Sequence, residues 1–437
     1  MPAHERSSSG EYSAPSSDFE SITRERNLSK TVIILGGGVG GLVAANELRR
    51  KFPQTHRIVL IEKNPTHAFA PSFLWVMTGS RKTEQIIKPI RSLIRKGIDL
   101  FCDEVKNINI SKRSVTISAQ TLTYDYLVIA LGAELAPQLI PGLTDNAHSF
   151  YTFQEASKLE ETLSSFREEH IALVVAGVPY KCPGAPHEAA MLIMDYYRRR
   201  RSAKTVHLYT PEAQPMPVGG PELGEAVKKM ITAKGILFHP LHKLMSVNDE
   251  SRELHFEGKE PVAYQLLVAI PPHRAPKVVK DASLLNEAGW ISVDRKTLQT
   301  SHENVYAIGD ITAISIPGRW NPDIPMMLPK AGVFAHTQGE VVARRISDQI
   351  EGRISKDEFC GTGYCMLEAG DGLAGFAYGD FFGEKNPQLD LRNIGKVWHL
   401  GKILFEKWWL APVGIRKTLL RFLISLGAKV FRIPIDV

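Results

Sequence analysis

Apolar and polar positions along this chain fall into two rhythms. Short unbroken runs rich in Val, Ile and Leu occur at Thr31–Leu35, Arg57–Ile61, residues 124–132, 173–175, Thr205–Tyr209, 265–270 and 304–310. Runs without alternation read as strands buried on both faces of a parallel sheet. Between them, helical periodicity covers residues 42–51, 83–95, 185–200 and the stretch from Ala331 onward. Strands and helices in this succession predict an α/β fold. Residues 64–79 fit neither rhythm and are expected to be a packed surface loop. Near the end, Ile415, Leu419, Phe422, Leu423, Leu426 and Val430 repeat at helical spacing opposite Arg416, Lys417 and Lys429, predicting a basic amphipathic helix. With Trp398, Trp408 and Trp409 nearby, that helix reads as one lying in a bilayer interface, against a dimerisation or core-capping helix.

The first strand runs directly into Gly36, Gly38 and Gly41, a G-x-G-x-x-G turn with a helix behind it, and the second strand ends at Glu62. Glycines at those positions allow a tight turn and close approach of the backbone to a pyrophosphate, and an acid at the next strand end grips a ribose hydroxyl. A dinucleotide site is expected here. Two more strand ends belong with it: the small-residue turn at Gly132, and Gly309-Asp310, whose carboxylate can reach a ribityl chain.

A second turn of the same kind begins after Val175, at Gly177, but departs from the pattern. Its second and third glycine positions hold Pro179 and Cys182, flanked by Lys181 and Pro183. A cysteine entering a helix N-terminus beside a lysine is expected to have a lowered pKa; the alternative is an inert, half-buried thiol. The strand Thr205–Tyr209 lacks the acid that NADH needs at its end, with only Glu212 beyond a proline. This is the pattern of a Rossmann half without its pyridine nucleotide. Further on, Lys330 precedes a helix beginning near Ala331, where helix dipole and ammonium can stabilise an anionic flavin edge.

Composition adds three constraints. Four cysteines (Cys102, Cys182, Cys360, Cys365) are too few for a disulfide framework. Cys102 falls in a strand and is expected to be structural. Cys360 and Cys365 have no companion pair at zinc spacing, so no metal is expected. Residues 1–29 are serine-rich and read as a disordered tail. The net charge is +6, and residues 393–437 carry eight Lys/Arg against Glu406 and Asp436, an excess equal to that of the whole chain.

The three motifs at Gly36–Gly41, Gly132 and Gly309-Asp310 resemble those of the two-dinucleotide-binding-domain flavoproteins. With Cys182 in C-P-G-A-P-H-E, Pro329-Lys330, and Cys365 heading C-M-L-E-A-G, the chain is similar to the sulfide:quinone oxidoreductases. That family is related to flavocytochrome c sulfide dehydrogenase and type-II NADH dehydrogenase. The resemblance implies two Rossmann-like domains of disulfide-reductase type plus a C-terminal amphipathic, membrane-anchoring region. The expected division is residues 30–140 with 301–352 for FAD, 141–300 for the second domain, and 353–437 for the quinone pocket and anchor. FAD is the implied cofactor, held by Gly36, Gly38, Gly41, Glu62, Gly132, Gly309, Asp310, Lys330 and Ala331.

The resemblance also implies the chemistry. Cys182 and Cys365 carry the sulfur, Cys360 competing with Cys365 for the second position. Hydrosulfide opens their disulfide, a persulfide forms, and the freed thiolate passes electrons to the flavin and on to quinone. Glu188 is the candidate general base and Lys330 stabilises the reduced flavin. Tyr364, Phe376, Tyr378 and Phe381 are candidates for the quinone pocket. Many members have a third redox cysteine where this chain has Tyr151. Expected partners are sulfide, a quinone and a lipid surface, with no nucleic acid and a homo-oligomer left open. The expected location is peripheral on a cell membrane. The rivals are a type-II NADH:quinone oxidoreductase, which needs an intact second glycine turn, and a non-catalytic flavin redox sensor.

Overall fold

In the computed structural model, which describes residues 29–320 and 326–433, the apolar runs form two parallel sheets. The reading of residues 1–29 as a disordered tail falls almost wholly outside the described residues. The first sheet starts with β1 (Thr31–Leu35), which enters the glycine turn and α1 (Val39–Lys51). β2 (Arg57–Ile61), β3 (Ile98–Phe101) and β4 (Tyr126–Ile129) follow. The second sheet comprises β5 (His170–Val175), then α2 (Ala185–Arg199), β6 (Thr205–Tyr209), β7 (Leu237–His239) and β8 (Leu266–Ile270), in the order β7-β6-β5-β8. β9 (Val305–Ala307) returns to the first sheet beside β4, completing β9-β4-β1-β2-β3. α3 (Gly332–Ile350) packs across α1, and their backbones meet so closely that a Cβ on Gly339 would lie 2.6 Å from Gly40 O.

A third, antiparallel layer consists of β10 (Thr362–Gly370), β11 (Leu373–Asp380) and β12 (Gln388–Gly395). It leads into α4 (Lys396–Trp409) and α5 (Ile415–Val430). β10 lies against α2, so the C-terminal layer covers the thiol-bearing end of the second sheet.

Four expectations are corrected. Residues 64–79 are not a surface loop: Phe73, Leu74, Trp75, Val76 and Met77 are buried in the core beside α2, because five consecutive apolar side chains fold into a short helix with no solvent face. The single helix expected over 83–95 is broken. Pro89 has no N–H to donate and disfavours helix at the residue before it, so Ile87–Pro89 pairs as a strand with Thr66–Ala68 between two single-turn helices. Cys102 lies one residue past β3 and is exposed.

The fourth concerns the tryptophans. Trp408 and Trp409 are core residues, each 5% exposed, and form no interfacial belt. Lys417 likewise turns inward and donates to Trp409 O at 2.9 Å, satisfying the carbonyl end of α4. Burial pushes its pKa down to about 8. Trp409→Ala should therefore destabilise the protein by about 3–5 kcal/mol, the usual cost of emptying a buried indole site. Urea unfolding of the FAD-loaded protein measures this; a loss below about 1 kcal/mol would return Trp409 to the surface.

Candidate functional site

The glycine turn has the shape of a phosphate cradle. Gly36 adopts φ +98°, and a Cβ there would sit 2.4 Å from Ala130 O; a Cβ on Gly41 would sit 1.9 Å from Gly36 O. Those two glycines make the turn. Gly38 is different: a Cβ there meets nothing within 4 Å, so its missing side chain leaves room in front of the start of α1. Glu62 stands at the end of β2, accepting Gly37 N–H at 2.7 Å and Asn64 N–H at 2.9 Å. Gly132 (φ +66°) likewise has open space where a side chain would be. Gly309 (φ +75°) donates to Gln338 Oε1 at 2.6 Å and presents Asp310. Asp310 Oδ1 is buried with no partner among the described residues, and burial raises the carboxyl's pKa. An unpaired buried carboxylate oxygen, together with two glycine positions that leave open space, fits the ribityl and pyrophosphate of FAD.

Sequence reasoning missed one support of this cradle. His67 Nδ1 lies 3.1 Å from Gly37 O, and Trp409 donates its indole N–H to His67 Nε2 at 2.8 Å. An indole only donates, so Nε2 accepts and Nδ1 carries the proton toward Gly37. Burial keeps this imidazole neutral by lowering its pKa. α4 is thereby linked to the first glycine turn through one neutral histidine.

The second turn is occupied by the protein itself. Cys182, at φ +58°, donates its N–H to Lys330 O at 2.7 Å, and Lys181 and Lys330 form a parallel bridge. The Tyr151 hydroxyl donates to Lys181 O at 2.8 Å. Glu212 is consumed internally, accepting Tyr180 OH at 2.9 Å and Thr210 OH at 3.2 Å. Lys330 is buried, its ammonium donating to Asp310 O at 2.6 Å and Thr312 O at 3.2 Å above the Trp290 ring. Desolvation lowers its pKa to about 8. Ala331 caps α3 directly behind it.

Cys182 and Cys365 are brought together. Cys365 Sγ lies 3.6 Å from the Cβ position of Gly184, two residues beyond Cys182, and each half-buried thiol is free. The expected lowering of the Cys182 pKa is not found. Burial raises it to about 12, aided by the Glu188 carboxylate, while Lys181 points away to Ala133 O at 3.3 Å. Cys365 is raised by burial, by Glu188 and by Cys182. Cys360 is exposed, its Sγ 3.5 Å from Glu358 O in the loop before β10.

Glu188 is buried, where an exposed helix carboxylate was the alternative. Its Oε1 accepts Lys402 Nζ at 2.5 Å and Glu368 N–H at 2.9 Å. Burial works against the Lys402 charge, but Glu188 and Glu368 outweigh it and hold the ammonium above its ordinary value. Lys402, Glu368 and His399 were missed. Their one signal was a lysine and a glutamate four apart (Lys402, Glu406) on the apolar face of α4, both buried.

On β10 and β11, Tyr364 and Tyr378 are cross-strand partners, and Phe376 stacks between Tyr364 (6.4 Å) and Trp398 (4.7 Å). Phe405 joins Tyr364 to Phe69. Phe381 stands apart, packed on Phe334 at the start of α3.

The two glycine classes make a direct test of the cradle. Gly38→Ala should fold with unchanged thermal stability as apoprotein yet lose bound FAD, because its methyl enters only ligand space. Gly41→Ala should lose both, since the methyl meets backbone. Absorbance of bound flavin per protein, beside melting of the apoprotein, separates them; full FAD in Gly38→Ala would refute the assignment.

The chain is 27% identical to a mitochondrial sulfide:quinone oxidoreductase of Mus musculus over 64% of this chain and 65% of that protein. It is 30% identical to the mitochondrial one of Dictyostelium discoideum over 65% and 66%. The aligned part thus spans just under two thirds of either relative. The X-ray structure of the sulfide:quinone oxidoreductase from the hyperthermophilic bacterium Aquifex aeolicus superposes with a TM-score of 0.80 at 25% identity, covering 93% of this chain and 96% of that one. The sequence resemblance to sulfide:quinone oxidoreductases is therefore borne out, as is the FAD/NAD-binding fold. Residues 30–339 match the family described as pyridine nucleotide-disulphide oxidoreductase; the chain belongs to that family, and its cofactor is FAD.

Proposed function

We propose that this protein oxidises sulfide to sulfane sulfur or polysulfide and passes the electrons to a quinone at a membrane surface. The observation that carries the reading is Cys365 Sγ lying 3.6 Å from the Cβ position of Gly184, two residues from Cys182, in the turn where a pyridine-nucleotide site would have glycine. The expected domain division stands with it: residues 30–140 and 301–352 hold FAD, 141–300 position Cys182, and 353–437 position Cys365, quinone and lipid.

In the resting enzyme Cys182 and Cys365 form a disulfide. Hydrosulfide attacks one sulfur, and Glu188 takes the proton that the new persulfide sheds. Glu188 is needed because burial raises both thiols, so neither holds its anion unaided. Lys402 offsets the resulting negative charge. FAD, when bound, supplies the two-electron relay between sulfur and quinone, with Gly36, Gly38, Gly41, Glu62, Gly132, Gly309 and Asp310 holding it and Lys330 with the Ala331 helix start favouring its reduced anion. Tyr364, Phe376 and Tyr378 line the quinone side, Phe381 supporting that layer from α3.

The lipid contact falls to α5. Its inner stripe, Leu420, Ile424 and Ala428, faces the protein, yet Ile415, Leu419, Phe422, Leu423, Leu426 and Val430 remain exposed, Phe422 at 62%. No described helix is long and apolar enough to cross a membrane. A helix apolar on both sides suits an interfacial position.

Anaerobic titration tests the donor. Sulfide should bleach the flavin, whereas NADH should not within seconds; stoichiometric NADH bleaching would select the type-II dehydrogenase. Cys182→Ser and Cys365→Ser should keep FAD and lose sulfide-dependent reduction by about 100-fold or more, with Cys360→Ser active. Steady turnover with a soluble quinone excludes a mere sensor. Separately, Phe422→Asp with Leu426→Asp should leave a folded yellow protein that no longer sediments with liposomes. Undiminished sedimentation would end the α5 assignment.

A further inference from the structure

The last strand of the second sheet ends in a buried side chain that the protein leaves half used. β8 runs into Pro271-Pro272-His273, a stiff turn at the strand's carboxyl end. The turn is pinned to the segment that leaves the Gly132 turn of the FAD cradle. Ala136 N–H donates to Pro272 O at 2.7 Å, and His273 and Arg274 pair antiparallel with Leu135 and Glu134.

His273 is buried, and its two ring nitrogens differ. Nδ1 lies 2.8 Å from Pro271 O. A carbonyl oxygen only accepts, so Nδ1 carries the proton and Nε2 is a lone-pair acceptor. Nε2 is buried with no partner among the described residues. Burial and the charges of Lys181 and Lys330 push the ring's pKa down to about 3, so it stays neutral. The donors around it are committed elsewhere. Tyr151 stands edge-on to the ring at 5.3 Å, but its hydroxyl goes to Lys181 O. Lys181 donates to Ala133 O, and Lys330 to Asp310 O and Thr312 O. A buried acceptor in that position points to a donor from outside the chain.

Two features make FAD the carrier of that donor. The strand His273 pairs with begins two residues past Gly132. The same two ammoniums, Lys181 and Lys330, also act on Asp310, whose Oδ1 is likewise buried without a described partner. FAD offers neutral donors at the ribityl hydroxyls and at N3–H of the ring. We infer that His273 is a ligand of FAD supplied by the second sheet, its Nε2 accepting a hydrogen bond from one of those donors. A sheet whose own glycine turn holds Cys182 thus contributes to the cofactor of its neighbour. The inference does not depend on what reduces the flavin.

The test titrates FAD into full-length protein stripped of it. His273→Phe keeps an aromatic edge against Tyr151 and has no acceptor, whereas His273→Gln can bring an amide oxygen to the place of Nε2. The phenylalanine variant should raise the FAD dissociation constant about tenfold, and the glutamine variant by no more than about threefold. His273→Phe apoprotein should melt within about 3 °C of wild type, because losing the Pro271 bond is offset by removing an unsatisfied nitrogen. Equal loss of FAD in both variants with lowered apoprotein melting would mean a structural role and overturn the assignment. FAD methylated at N3 distinguishes the donors: the gap between wild type and His273→Phe vanishes with it if the donor is N3–H and persists if it is a hydroxyl. Wild-type protein labelled with 15N-histidine gives a reading that needs no folded variant. There the unprotonated Nε2 signal of His273 should move upfield when FAD is added. An Nε2 signal that FAD leaves in place, or unchanged FAD affinity in His273→Phe, makes the partner a buried water and ends the proposal. Sulfide enters none of these measurements, so failure of the sulfide reading is seen separately.

Discussion

One backbone hydrogen bond orders the chemistry of this molecule: Cys182 N–H to Lys330 O, 2.7 Å. It fixes the thiol turn of the second sheet to the segment that enters α3, so the sulfur, Asp310 and the start of α3 share one frame. The turn accepts a left-handed residue to make the bond, a conformation that costs of order 1 kcal/mol for a non-glycine and persists only where its surroundings enforce it. Tyr151 enforces it from the other side through Lys181 O. In the turn before α2, Pro179 and Cys182 stand where a pyrophosphate-binding turn would have glycine, and Glu212 accepts from Tyr180 and Thr210.

Around that frame the protein buries charge that its core does not need. A buried Glu–Lys pair seldom stabilises a fold more than a well-packed apolar pair of equal volume, although removing one partner costs about 3–5 kcal/mol. Packing alone therefore gives no reason for Glu188 and Lys402 to be ionic. Both thiols are raised by burial, and an environment that raises thiols needs a base nearby if sulfur is to turn over. In the proposed function Glu188 supplies it, and Lys402 Nζ donates to its Oε1 at 2.5 Å.

What the sequence made legible followed from periodicity and from glycine. The parallel strands are unbroken apolar runs, so their positions and order of use could be read directly. Gly36 and Gly41 could be read because backbone sterics forbid anything else there, and Asp310 because it ends a buried strand. The unread parts depend on distant contacts. Glu188 and Lys402 are 214 residues apart. Lys181 looked like an activating cation for Cys182 until its side chain was seen to run to Ala133 O; burial, aided by the Glu188 carboxylate, outweighs the remaining cation, Lys402, and raises the thiol. Phe73–Met77 looked irregular because a single buried turn is too short to establish a period. Trp408 and Trp409 belonged by composition to an interface, yet they lie where α4 is pressed onto α3 and His67.

The two C-terminal helices divide labour in a way their similar amphipathicity concealed. α4 turns Lys402 and Glu406 inward, each bonded to a distant element: Lys402 to Glu188, and Glu406 to Ser72 Oγ at 2.9 Å and to Arg81. Such a helix belongs to the site and cannot move without unpairing buried charge. α5 places no acid inward, and its one inward cation, Lys417, only closes the end of α4. Its inner stripe is already satisfied by protein while its outer stripe stays apolar and exposed, so it requires a second cover. In the proposed function lipid is that cover. On that reading α4, which packs on α5 and touches Tyr364 through its own Phe405, sets how far a quinone leaving the lipid must travel to reach the flavin. On this argument, loosening α4 should impair quinone reduction even where α5 and the thiols are untouched.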